Sequence, residues 1–73
     1  MKTFIFDISM NYLECKSLYD HSIKYVVVND INGKRLQLEK RHILNLLTPS
    51  GIKGRYQLTV DANNNFKKLV KID

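Results

Sequence analysis

The sequence predicts a small single α+β domain over residues 1–73. It is expected to hold an antiparallel sheet of four to five strands and two short helices, in the order β-α-β-β-α-β-β. Three observations predict this. Two-residue alternation recurs along the chain and is interrupted twice by helical spacing of apolar residues. Asn32-Gly33 separates two strand patterns, which marks a hairpin and hence antiparallel pairing. The chain has 73 residues, enough for one domain only, and its 44% apolar content can supply one small core.

Each element follows from its own pattern. In residues 3–8, Phe4, Phe6 and Ile8 point one way and Thr3, Ile5 and Asp7 the other, the period of a half-buried strand. Asn11 followed by Glu14 has the form of a capping box, with asparagine in place of serine or threonine. Tyr12, Cys15, Leu18 and Tyr19 then share one face of a helix expected to be about ten residues long. Val26-Val27-Val28, flanked by Ile23 and Tyr25, fits a strand covered on part of both faces. Asn32-Gly33 is expected as a type I′ turn, widened by Asn29 and Asp30. On the returning strand Leu36 and Leu38 face the core while Arg35 and Gln37 face out.

Ile43, Leu44, Leu46 and Leu47 have the spacing of a short helix of about two turns, stopped by Pro49. Thr48-Pro49-Ser50-Gly51 is expected to turn the chain and Gly54 to release it into a strand. Tyr56, Leu58 and Val60 alternate again. Residues 61–65 are a polar turn, and residues 66–72 the last strand. Lys68 interrupts the alternation of that strand, which suits a sheet edge.

The glycines and lysine of residues 51–54 raise the question of a phosphate-binding loop. Such a loop needs a strand before it, a helix after it, and a hydroxyl residue following the lysine. Here a helical pattern precedes, a strand pattern follows, and Gly54 comes after Lys53. The segment reads as a turn.

Other chemistry is equally unsupported. The lone Cys15 excludes an intramolecular disulfide and any zinc site built on several cysteines. Its place on the apolar helix face marks it as a packing residue. His21 and His42 belong to different elements with no ligand spacing between them, and the seven acids show no paired acid–base spacing. A chain this short leaves little room for a deep pocket. The expectation is a non-enzymatic protein with no cofactor, no metal and no small-molecule substrate. The N-terminal apolar run is broken by Asp7 and lacks the cleavage site of a signal peptide. No run reaches the roughly 20 residues of a membrane span. A cytoplasmic protein without a membrane partner is expected.

The charge of +5 favours anionic partners. Lys34, Arg35, Lys40, Arg41, Lys53 and Arg55 are the candidate contacts to nucleic acid or another anion. They make a basic platform if Arg35, Gln37, Arg55 and Gln57 share an exposed sheet face. Binders of single strands add exposed aromatics for stacking, but Phe4, Phe6, Tyr25, Tyr56 and Phe66 are expected to look inward. The leading expectation is therefore a protein-interaction module, binding an unknown protein or itself through a sheet edge or helix surface. Nucleic-acid binding through phosphates is the alternative.

Several of these segments together resemble one family. They are Tyr19, Val26-Val27-Val28, Gly33 with Arg35, Leu36-Gln37-Leu38, and "LLTPSGIKGRYQL" over residues 46–58. The pattern resembles the domain of unknown function 2835 family of short gammaproteobacterial proteins. Its Thr-x-x-Gly-Ile-x-Gly segment is matched by Thr48, Gly51, Ile52 and Gly54. Three positions depart from the family pattern: Leu18 replaces a tyrosine, His21 a glycine and Glu39 a proline. The resemblance implies a shared fold and carries no activity with it.

Overall fold

The alternation of the first ten residues folds as β1, Lys2–Met10, with Phe6 and Ile8 buried and Asp7 exposed. This computed structural model describes every residue, Met1–Asp73. Asn11 then closes the predicted capping box. Its side chain accepts from the Glu14 amide at 2.8 Å, and its own amide donates to the Glu14 carboxylate at 3.1 Å. The helix it starts, α1 (Tyr12–Lys16), is shorter than expected and tightens into a 3-10 turn over Ser17–Tyr19. The Ser17 hydroxyl donates to the Glu14 carbonyl at 2.7 Å as the helix narrows. Cys15 and Leu18 are buried, but Tyr12 and Tyr19 are exposed, so only half of the predicted apolar face is used. The chain then turns at Asp20, whose carboxylate accepts from the Ser22 amide at 2.9 Å. No left-handed cap forms at His21.

β2 (Tyr25–Asn29) and β3 (Arg35–Glu39) form a hairpin, with Val28 opposite Leu36 and Val26 opposite Leu38. The turn differs from the expected type I′. Asn32 keeps a negative φ, and only Gly33, at φ +82, is left-handed. The Asp30 amide donates to Lys34 O at 2.8 Å and the Gly33 amide to Asp30 O at 3.0 Å. This is the three-residue loop in which a right-handed turn is followed by one left-handed residue. The widening foreseen at Asp30 thus decides the turn type. The Asp30 carboxylate accepts from the amides of Asn32 and Lys34, at 2.9 and 2.7 Å.

α2 (Lys40–Leu44) follows directly, with Ile43 fully buried. Its helical spacing continues past the helix only as two tight turns, Leu46 N to Ile43 O and Leu47 N to Leu44 O. At the Thr48–Gly51 turn each residue's amide donates to the other's carbonyl. Gly51 has φ +99, and a Cβ there would overlap the Met10 carbonyl oxygen and lie 2.8 Å from the Asn11 carbonyl carbon. Only glycine lets these two backbones approach so closely. β4 begins at once, over Ile52–Val60, so Gly54 lies within the strand instead of ahead of it. β5 (Phe66–Lys71) returns from a polar turn as the predicted edge strand.

The predicted order of strands and helices is present, and all pairing is antiparallel. The strands divide, however, into two sheets, β1-β4-β5 and β2-β3, where one was expected. The hairpin meets β1 at a single bridge, Phe6 with Asp30, supported by the Ile31 amide donating to Ile5 O at 2.8 Å. Beyond that point it leaves the plane and lays its inner face on the larger sheet. Leu36 and Leu38 thereby join Phe6, Ile8, Tyr56, Leu58 and Val60 in one core, closed by Cys15, Leu18, Ile43 and Ile52. Full burial of such side chains is worth about 2 kcal/mol each. Phe6 and Tyr56, opposite each other in the β1–β4 register, stack with centroids 6.1 Å apart.

Candidate interaction site

The β2–β3 ladder fixes which backbone groups are free. Its ends are set by Asp30 N to Lys34 O and by Lys40 N to Lys24 O. Hydrogen-bonded pairs alternate in an antiparallel ladder, so Val28–Leu36 and Val26–Leu38 are the bonded pairs between them. The amides of Arg35, Gln37 and Glu39 and the carbonyls of Arg35 and Gln37 therefore point away from β2, while the Glu39 carbonyl, at the N-cap of α2, opens the helix. β3 is an edge strand with no neighbour on that side.

A groove runs along this open edge. One part, of about 220 Å³, is floored by Leu36, Leu58 and Val60, with Phe4, Lys34 and Arg35 at its end. The other, of about 240 Å³, continues past Leu38 to His42 and Phe66. Gln37, Leu58, Val60 and Asn64 line both, and Asn64 and Asn65 of the β4–β5 turn form the far wall. Both ends of β3 are pinned to the larger sheet. Lys34 Nζ sits 5.0 Å from the centre of the Phe4 ring on β1, a cation–π contact. The His42 ring stacks on Phe66 of β5 at 3.6 Å. β3 thus crosses the larger sheet from its first strand to its last.

The six candidate cations do not form one platform. Arg35 and Gln37 lie on the outer face of the hairpin, and Arg55 and Gln57 on the outer face of the larger sheet. Both faces turn away from the core between them. The shared sheet face on which a basic platform of these four side chains depended is therefore absent. Lys34 and Arg35 stand together at one end of β3. Lys40 and Arg41 lie at the other, about 17 Å away at the rise of an extended strand. Lys53 and Arg55 project from β4 on the opposite side.

Several of these cations are also engaged. Arg55 holds Asp7 through two bonds, at 2.8 and 3.1 Å. That hydrogen bonding holds the Asp7 carboxyl below its usual range and raises the Arg55 guanidinium. Arg41 pairs with Glu39 at 2.6 Å, and Lys40 Nζ donates to Asp20 O at 2.8 Å.

Two further features escaped the sequence reading. Tyr25 and Phe66, expected inside, are exposed at 53% and 36%, so aromatic surface is available after all. Lys24 joins His21, Tyr25, Lys40 and Arg41 around a shallow recess of about 350 Å³. No sequence signal marks that recess, because it forms where the end of the hairpin meets the start of α2. The groove was equally hidden. Leu58 and Val60 read as core residues, which they are, and nothing in their alternation says that a strand edge passes beside them. Cys15 is fully buried. His21 and His42 lie on different surfaces, facing the recess and the groove respectively. No helix is long and apolar enough to cross a membrane.

A family model for a protein of unknown function, DUF2835, matches residues 2–72. The chain belongs to the DUF2835 family. The matched region takes in every DUF2835 strand and helix described above, and with them the whole groove. The Thr48–Gly51 turn, part of the segment that most resembles DUF2835, is where the Gly51 backbone packs on Met10 and Asn11. No curated protein and no solved structure matches this DUF2835 chain.

Proposed function

We propose that this protein is a small non-enzymatic protein-interaction module. The observation that supports this reading is the groove beside β3, which pairs an apolar floor with an unpaired strand edge. Sheet edges recognise partners through main-chain hydrogen bonds, and pockets beside them add specificity. The lysines and arginines elsewhere on the surface serve solubility. The test is capture from native cells on tagged full-length protein, with nuclease added. Recovery of a protein that survives nuclease and high salt is expected. Recovery of nucleic acid alone would sink the reading.

A second reading, nucleic-acid binding through phosphates, draws on the recess formed by Lys24, Lys40 and Arg41 beside the exposed Tyr25. Cations next to an exposed ring suit a single strand. Under this reading, RNA retention at low salt falls steeply as salt rises. Lys24→Ala and Tyr25→Ala weaken it, while Arg55→Ala, on the opposite side, does not. Equal loss in all three variants would rule the recess out.

A further inference from the structure

We infer that the open edge of β3 receives an extended peptide segment from an acidic partner, added as a third strand to the β2–β3 sheet. The inference rests on the interaction-module reading and names its site and partner chemistry.

Four observations carry it. The free amides of Arg35, Gln37 and Glu39 and the free carbonyls of Arg35 and Gln37 all point to one side. An added strand pairs with such a row at about 4.8 Å. Side chains of that strand alternate between two environments. Those pointing inward meet Leu36, Leu58 and Val60 on the groove floor. Those pointing outward lie beside Arg35, Gln37 and Glu39. The expected occupant therefore alternates apolar and polar residues.

Charge sets its sign. Lys34 and Arg35 stand at one end of the groove, and Lys2 lies close by with its Nζ 3.3 Å from Asn64 Oδ1. The one carboxylate in the lining, Glu39, is already paired with Arg41. Acidic side chains near Arg35 are thus favoured and basic ones are not.

A single strand fits this site better than a second copy of the chain. The Asn64–Asn65 wall stands across from β3, and a folded copy would bring its own wall to the same place. Two copies would also bring together two chains that each carry +5. Among the other edge strands, β5 carries Lys67, Lys68 and Lys71, the kind of guard that discourages pairing.

The experiment pans a display library of random seven-residue peptides against the full-length protein. Enriched peptides are expected to alternate apolar and polar residues and to carry acids. Binding of a synthetic copy of the best one should fall at least tenfold in Arg35→Glu and in Gln37→Pro. Gln37→Pro risks the fold, so Glu39→Pro is the second edge variant. Residue 39 has φ −64, which suits proline, and its amide bonds nothing in the hairpin.

Amide exchange gives the deciding readout. The amides of Arg35, Gln37 and Glu39 should slow when peptide binds, and those of Lys67, Leu69 and Lys71 should not. Basic or helix-patterned peptides, indifference to the edge variants, protection on β5, or no enrichment would each overturn the inference. So would a dimer protecting the same three amides without peptide, since the occupant would then be a second copy. In every one of these cases the broader interaction reading stands or falls on the capture experiment alone.

Discussion

The carboxylates of Asp30 and Asp61 close the two hairpins of this protein in the same way. Asp30 Oδ1 accepts from the amides two and four residues on, Asn32 and Lys34. Asp61 Oδ1 accepts from Asn63 and Asn65, at 2.8 and 2.9 Å. In both loops the aspartate amide donates to the carbonyl four residues on, and its own carbonyl accepts from the amide three residues on. The residue donating that last bond is left-handed in each, Gly33 at φ +82 and Asn64 at φ +65. Asp-Ile-Asn-Gly-Lys and Asp-Ala-Asn-Asn-Asn are thus one loop written twice.

Removing the first carboxylate takes two hydrogen bonds from a turn whose aspartate is buried although residues 31–34 are exposed. Asp30→Ala is expected to cost about 2 kcal/mol, measured by urea unfolding. Asp30→Asn retains a carbonyl acceptor and should recover part of that loss. Equal loss in the two variants would mean that the carboxylate's charge, not its hydrogen bonds, holds the loop.

The left-handed position offers a reciprocal change. Asn64→Gly relieves a conformation that side chains resist and should stabilise by roughly 0.5 kcal/mol. Gly33→Ala should destabilise by about 1 kcal/mol even though the added methyl meets open space. Thermal unfolding of both variants tests this. Opposite signs from those stated would show that backbone conformation is not what the loop selects.

Gly51 is a harsher case, because it combines a left-handed backbone with contact against Met10 and Asn11. Gly51→Ala should cost about 3 kcal/mol or more. In so small a domain that is enough to unfold a large fraction of the chain. A far-ultraviolet dichroism spectrum unchanged from the parent at 37 °C, with an unchanged melting point, would contradict it.

Acid should weaken the fold over a defined window. Asp7 is held down by its bond from Arg55, Asp20 by its bonds from Ser22, and Asp61 first by the Asn65 amide. A carboxyl whose folded pKa lies below its unfolded value adds stability above that unfolded value. The contribution is lost as pH falls through the folded pKa. The melting point should therefore drop below about pH 4. The drop should shrink in Asp61→Asn, which no longer titrates at that position. A melting point flat from pH 6 to pH 2 would refute the window.

How much of this was legible depended on range. The Asn11–Glu14 box, the β2–β3 hairpin and the β5 edge were readable because the interacting groups lie a few residues apart. Type I′ geometry at Asn32-Gly33 was the wrong choice because Asp30, two residues earlier, captures the turn amides first. Tyr12 and Tyr19 were misplaced because helical spacing says which residues share a face, not how wide a face the core covers. The single-sheet expectation failed for a related reason. Pairing rules say that strands adjoin, but only the fit of Leu36 and Leu38 onto Leu58 and Val60 decides that the hairpin folds over. The groove beside β3 is a by-product of that crossing and has no local signature.

The β1–β4 seam also shapes how the molecule is made. It sets Lys2 opposite Val60 and Met10 opposite Ile52, so the opening strand must wait for the fourth. Closing so long a loop is entropically slow, whereas both hairpins involve only near neighbours. A nascent chain should therefore form its hairpins early and leave its first strand without a mate until most of synthesis is done. Core substitutions in β1 should then hasten unfolding more than they slow refolding.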